Sequence, residues 1–198
     1  MSQIPPGQCM AYEAIVVGTS AGGINALQEI LAPLPADFAL PIIIVQHRLP
    51  APDDFLTFAL NDSCQLIVKE ADHGEPIKSG HVYLAPANYH LLVERDRTLS
   101  LTIDPKVRYS RPSIDVLFES ASDVYLSGLI GIILTGANDD GTAGLKKIKA
   151  QGGLTIAQDP ATADSKIMPY TAIRENTVDQ ILSLADISSI LIELAGAG

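Results

Sequence analysis

Three short segments of the sequence each end an apolar run in a residue able to act as nucleophile, base or acid. The first, residues 15–23, reads IVVGTSAGG, and within it Gly18-Thr19-Ser20-Ala21-Gly22 fits G-x-S-x-G. That pattern marks a sharp strand-to-helix turn that projects a serine hydroxyl where bulky neighbours would block it. Gly22 and Gly23 leave backbone N–H groups uncovered at a helix N-terminus, where the dipole favours negative charge and an oxyanion would be stabilised. Taken alone, the same five residues also suit a glycine-rich turn that packs tightly or holds a phosphate. They are not a dinucleotide fingerprint, because position 20 is serine where G-x-G-x-x-G needs glycine.

A serine nucleophile requires a base and a group that orients the base. The second segment, IIIVQHR, puts His47 at the end of an all-apolar stretch. The other histidines, His73, His81 and His90, fall in polar loops or at hairpin ends, at spacings unlike a metal site, and read as structural. The third segment, LTGANDDGTAG, runs from an apolar stretch into Asn138, Asp139, Asp140 and Gly141. Either aspartate could be a helix N-cap and nothing more. Serine, histidine and aspartate delivered by three strand ends together point to acyl transfer.

The elements that must position these residues follow from periodicity. Short β-branched runs alternate with segments of helical spacing, the pattern of an α/β fold with a doubly wound, mainly parallel sheet and helices on both faces. Strands are expected at residues 14–17, 42–45, 82–84, 129–136 and 154–158, and helices at 24–34, 53–60, 113–125, 142–150 and 186–194. Residues 89–103 read as an antiparallel hairpin attached to that sheet, turning at 95–97. In such a sheet the loops leaving the carboxyl ends of strands line the ligand crevice, which is where Ser20, His47 and the Asp139-Asp140 pair would stand.

Composition narrows the function. A chain of 198 residues with 47% hydrophobic content suits one α/β domain. Thirteen Lys and Arg against 23 Asp and Glu give a net charge of −10, a field that repels nucleic acid and anionic membranes. The first residues lack the basic and apolar regions of a signal peptide, and the apolar runs are too short for a membrane span, so a cytoplasmic location is expected. Cys9 and Cys64 read as free thiols without a role.

The segments VVGTSAGGINAL, IIIVQHR, GHVYLAP, SRPSIDVLFESAS, LTGANDDGTAGL and TIAQDPATADSKIMP resemble, in the same order, the catalytic domain of the CheB-type chemotaxis protein-glutamate methylesterases. The resemblance spans residues 12–194. It implies Ser20 as nucleophile, His47 as base and Asp140, the residue directly before Gly141, as the third triad member, with Asp139 at a variable position. It further implies hydrolysis of glutamate γ-methyl esters on chemoreceptors with release of methanol, deamidation of certain glutamines, and no metal or cofactor. Oxyanion or substrate contacts are expected at Ala21, Gly22, Ala137, Asn138 and Arg111, and local positive charge from Arg48, Arg108 and Arg111. The family loop usually reads T-G-M-G-x-D-G, so Ala137 and Asn138 depart from it. The typical relative also carries a receiver domain. Here residues 1–11 read as a disordered tail and residues 12–198 as the catalytic domain without a receiver, so the crevice is expected to stand open constitutively, with a separate regulatory protein among the candidate partners beside the methylated receptor.

Other classes fit less well. A patatin-like lipase also uses G-x-S-x-G and an aspartate before glycine, but takes its oxyanion hole from a glycine-rich turn upstream, where this chain has only Gly7, and it would leave His47 without a task. An α/β-hydrolase has the order Ser, Asp, His, against Ser, His, Asp here. An interaction module without catalysis is favoured only by the Ala137-Asn138 replacement.

Overall fold

The computed structural model describes residues 12–48 and 55–196. The expected tail at 1–11, Cys9, and the start of the second expected helix at Asp53 and Asp54 lie outside the described residues. The chain runs β1 (Ala14–Thr19), α1 (Gly23–Leu31), β2 (Ile42–Gln46), α2 (Phe55–Ser63), β3 (Ile67–Glu70), β4 (His81–Leu84), β5 (His90–Val93) and β6 (Leu99–Thr102). It continues through α3 (Ile114–Tyr125), a 3-10 turn (Leu126–Gly128), β7 (Leu129–Ile133), α4 (Thr142–Ala150), β8 (Leu154–Gln158), α5 (Ile167–Arg174), β9 (Gln180–Leu182) and α6 (Leu184–Ala195).

Among the described residues seven strands form one sheet in the order β3-β4-β2-β1-β7-β8-β9, every pair parallel. Alternation along β1 explains its two-sided burial. Ile15 and Val17 face a core built with Leu27, Ile30 and Leu31 of α1 and Ile187 and Leu191 of α6. Ala14 and Val16 face the opposite core, built with Leu117 and Phe118 of α3, Leu145 and Ile148 of α4, and Met168 of α5. Among the described residues no helix is long and apolar enough to cross a membrane.

The hairpin β5-β6 is antiparallel as expected, but it forms a separate two-stranded sheet. Its attachment is by packing: Leu91, Val93 and Leu99 are buried in the core that contains α3. The alternation of β5 and β6 was readable, whereas the element receiving the buried face was not.

Connectivity fixes the site. The chain leaves β1 through α1 toward β2 on one side, and the strand on the other side of β1 is β7, reached only after α3. The order therefore reverses between β1 and β7, and the crevice of such a sheet opens over the carboxyl ends at that reversal. The turns after β1, β2 and β7 carry Ser20, His47 and Asp140.

Candidate active site

The turn after β1 is braced from both neighbouring strands. Ser20 N–H and the Thr19 hydroxyl both donate to the Thr135 carbonyl at 2.9 Å. The Gln46 amide donates to the carbonyls of Ser20 and His47, each at 2.9 Å. The Thr135 hydroxyl donates to the Ala21 carbonyl at 2.8 Å, and Gly23 N–H to the Ser20 carbonyl at 2.9 Å. Gly22 caps α1 at φ 80°, in the left-handed region that favours glycine. The carbonyls of this turn are thus engaged. The N–H groups of Ala21 and Gly22 have no acceptor among the described residues and stand at the positive end of α1.

The register Thr19↔Gln46 sets Ser20 beside His47, and His47 N–H donates to the Thr19 carbonyl at 3.0 Å. The imidazole is 11% exposed. Its Nε2 lies 2.9 Å from Asp140 Oδ2, and its Nδ1 faces the Asn138 side-chain amide at 3.4 Å. With Nε2–H donated to the carboxylate, Nδ1 is the nitrogen left to take a proton. Among the described residues Ser20 Oγ and the imidazole form no hydrogen bond.

Asp140 is fully buried. Besides His47, its oxygens accept Ile114 N–H at 2.8 Å, Asp115 N–H at 3.0 Å and the Ser113 hydroxyl at 3.0 Å. The two N–H groups belong to the first turn of α3, whose dipole favours the negative charge. Burial pushes the Asp140 carboxyl up, but the His47 hydrogen bond and the N–H groups of Asp115 and Ile114 outweigh it and hold it below the usual aspartate range. The group is a buried anion held against an imidazole.

Asp115 performs the reciprocal task. Asp140 precedes α4 and satisfies the start of α3; Asp115 lies in the first turn of α3 and accepts Gly144 N–H, in the first turn of α4, at 2.8 Å. Its second oxygen accepts Arg108 Nε at 3.2 Å. Burial above all pushes its carboxyl up to about 6, the Asp140 charge adding to this and the Gly144 N–H and Arg108 opposing it. The buried His90 ties the same segment: Nδ1 accepts Ser113 N–H and Nε2 donates to the Pro105 carbonyl, both at 3.2 Å.

Of the residues singled out in the sequence, Ser20, His47 and Asp140 stand on the turns after adjacent strands, with His47 bonded to Asp140. Asp139 is exposed and pairs with Arg108. Asn138 touches His47 through its amide nitrogen and accepts Asp140 N–H through its oxygen at 3.2 Å. Ala137 is exposed. Arg111 donates to the carbonyls of Ile103 and Asp104 and lines a cavity of about 350 Å³ beside His47. Arg108, expected to supply free positive charge, is instead neutralised by Asp115 and Asp139. Ser113, Asp115 and His90 were missed as supports. A serine at an N-cap position with an acid two residues on was the available signal for the first two. Among the described residues no group of three or more His, Cys, Asp and Glu could hold a metal ion.

Residues 15–191 match the family model described as CheB methylesterase. A Leptospira interrogans protein provisionally named protein-glutamate methylesterase/protein-glutamine glutaminase is 55% identical over 185 residues, covering 93% of this chain and 96% of the relative. A Burkholderia pseudomallei protein-glutamate methylesterase/protein-glutamine glutaminase is 42% identical over 188 residues; the match covers 93% of this chain and 51% of that longer relative. The crystal structure of the Thermotoga maritima CheB methylesterase catalytic domain superposes with a TM-score of 0.89 at 37% identity, covering 92% of this chain and 98% of that one.

Proposed function

The chain belongs to the CheB methylesterase family of carboxylic ester hydrolases, and on that premise we propose that it hydrolyses glutamate γ-methyl esters of a chemoreceptor or similar signalling protein through Ser20, His47 and Asp140. The observation that carries this reading is the His47 Nε2 to Asp140 Oδ2 bond at 2.9 Å, made one residue past the strand register that aligns Ser20 with His47.

In this mechanism His47 Nδ1 accepts the Ser20 hydroxyl proton as Oγ attacks the ester carbonyl. Asp140 holds the Nε2–H tautomer and balances the imidazolium charge. The oxyanion falls to the N–H groups of Ala21 and Gly22, whose lack of an internal acceptor supports that role. Collapse of the tetrahedral intermediate breaks the bond to the methoxy group, which leaves as methanol with the proton from His47. Water then gives its proton to His47, attacks the acyl-serine, and releases a glutamate carboxylate and the serine hydroxyl. The same steps on a glutamine side chain release ammonia, the second activity in the relatives' names.

The test is methanol release from a helical peptide carrying one glutamate γ-methyl ester, with ammonia release from the glutamine counterpart. Turnover of the ester that vanishes in Ser20→Ala is expected. Turnover of simple lipidic esters with none of the peptide would overturn the substrate assignment.

A further inference from the structure

The cavity beside His47 holds charge that the reaction itself does not call for. A methyl ester is neutral, and the charge developing on its carbonyl oxygen meets the N–H groups of Ala21 and Gly22. Yet Arg48, Lys106 and Arg111 all line the cavity, and among the described residues no carboxylate does, in a chain whose net charge is −10. Arg48 is neutralised by its pair with Glu70. Arg111 is held by two carbonyls, neutral partners that fix the guanidinium and leave its charge uncompensated. Lys106 is exposed and makes no ion pair among the described residues. The Nε atoms of Arg48 and Arg111 are buried with no acceptor among the described residues.

The rim has a second unusual feature. Val107 and Ser110 exchange both main-chain hydrogen bonds, at 3.2 and 2.8 Å, closing a two-residue turn. Its central residues, Arg108 at φ 47° and Tyr109 at φ 65°, occupy left-handed backbone where Asn and Gly are the ordinary choices. Such backbone persists where its surroundings hold it and clusters at functional sites. Here Arg108 is clamped by Asp115 and Asp139, so the support of the triad also holds the turn. Tyr109 lines the cavity yet is 96% exposed, an aromatic ring offered to solvent at the edge of the site.

We propose that this cavity is a carboxylate subsite: Lys106, in the positive field of Arg111, receives the acidic side chain of a residue flanking the esterified glutamate, while Tyr109 packs against the peptide at the rim. The subsite rests on the ester-hydrolase reading. It deepens that reading by making the substrate an acidic segment, recognised by a charge that the reaction neither creates nor consumes. Recognition and chemistry are then separable, the first carried by the loop at residues 104–112 and the second by the strand ends.

Two helical peptides test this, identical except that residues flanking the glutamate γ-methyl ester are Glu in one and Gln in the other. Binding is read on Ser20→Ala protein, so that affinity is measured without turnover, and KM and kcat on the wild type. The Glu-flanked peptide should bind roughly five-fold more tightly at low salt, the yield of an ion pair at a partly exposed site. That advantage should fade as ionic strength rises. In the Lys106→Gln variant the ratio between the peptides should collapse toward one, with the change in KM and not in kcat. Tyr109→Ala should weaken both peptides alike, since its contact reads no charge. Equal affinity for the two peptides in Ser20→Ala protein, or a ratio that survives Lys106→Gln, would overturn the subsite. Failure of the ester reading shows separately, as absence of methanol release from both peptides by the wild type.

Discussion

The turns that begin α1 and α4 are built alike and used in opposite ways. Each follows a central parallel strand, and each is capped by a glycine in the left-handed region, Gly22 at φ 80° and Gly141 at φ 96°, with no side-chain cap. At the first, the residues preceding the glycine are Ser20 and Ala21, half-buried and exposed, and two N–H groups stay open. At the second, the preceding residue is Asp140, fully buried, with four donors on its carboxylate. One backbone device can therefore offer a hydroxyl to solvent or seal a charge beneath a neighbouring helix. What differs is the cover: α3 lies over the second turn, and Ile114 packs against Gly141, where an added Cβ would come within 2.7 Å of Ile114 Cγ2 and Ile133 Cδ1.

The largest expected effect separates the two aspartates of the second turn. Asp140→Asn should lower turnover about 10⁴-fold, as loss of the tautomer-fixing carboxylate does in other triads. Asp139→Asn, which breaks an exposed pair with Arg108, should cost less than about 3-fold. Steady-state rates on the methyl-ester peptide decide this, and a reversed ranking would assign the triad to the wrong aspartate.

The next effect is on stability. Gly141→Ala forces left-handed backbone and overpacks two buried isoleucines, together about 2–4 kcal/mol. Gly22→Ala also forces left-handed backbone and comes within 2.5 Å of Asp164 Oδ2 and 2.6 Å of Asp164 Cβ; the exposed carboxylate can turn aside but the Cβ moves only with its own backbone, together about 1–3 kcal/mol. Urea unfolding of both variants gives the comparison directly. A Gly141→Ala loss under about 1 kcal/mol would show that Ile114 of α3 does not pack on the second turn.

A third test uses the carboxylates that clasp α3 and α4. Asp140, held below the ordinary value of 3.8, adds stability above that value and loses it as pH falls further. Asp115, raised to about 6 from 3.8, does the reverse: its contribution is present below 3.8 and is lost as pH rises through about 6. The unfolding free energy of wild type minus that of Asp115→Asn should therefore fall by about 2–3 kcal/mol between roughly pH 4 and pH 7. A difference independent of pH would mean that Asp115 titrates normally. Ser113→Ala, which leaves Asp140 three of its four donors, should cost about 1–2 kcal/mol in the same unfolding measurement.

The central strands were legible as continuous apolar runs buried on both faces, and α1, α3, α4 and α6 by their helical spacing. The edges were not. β3 buries only Val68 of its four residues, and β9 has three residues with none fully buried, so neither carries the apolar run that marks β1 or β7. α5 has Pro169 within eight residues and reads as a loop. At the site, the strand ends named Ser20 and His47, but the doublet Asp139-Asp140 was resolved only by the family resemblance. Spacing along the chain says nothing about α3, whose N-terminus draws one aspartate inward. The clasp made by Asp115 and Arg108 reaches Gly144 and Asp139, 29 and 31 residues further along the chain, so no local pattern encodes its partners.

The most direct measurement of the central claim is covalent labelling by a fluorophosphonate, followed by mass spectrometry of the peptide that contains Ser20. Labelling at Ser20 is expected in the wild type, slowed by orders of magnitude in His47→Ala and in Asp140→Asn, and nearly unaffected in Asp139→Asn. An unlabelled Ser20 in folded protein, or labelling that proceeds equally well without His47, would contradict the assignment of Ser20, His47 and Asp140 as a catalytic triad.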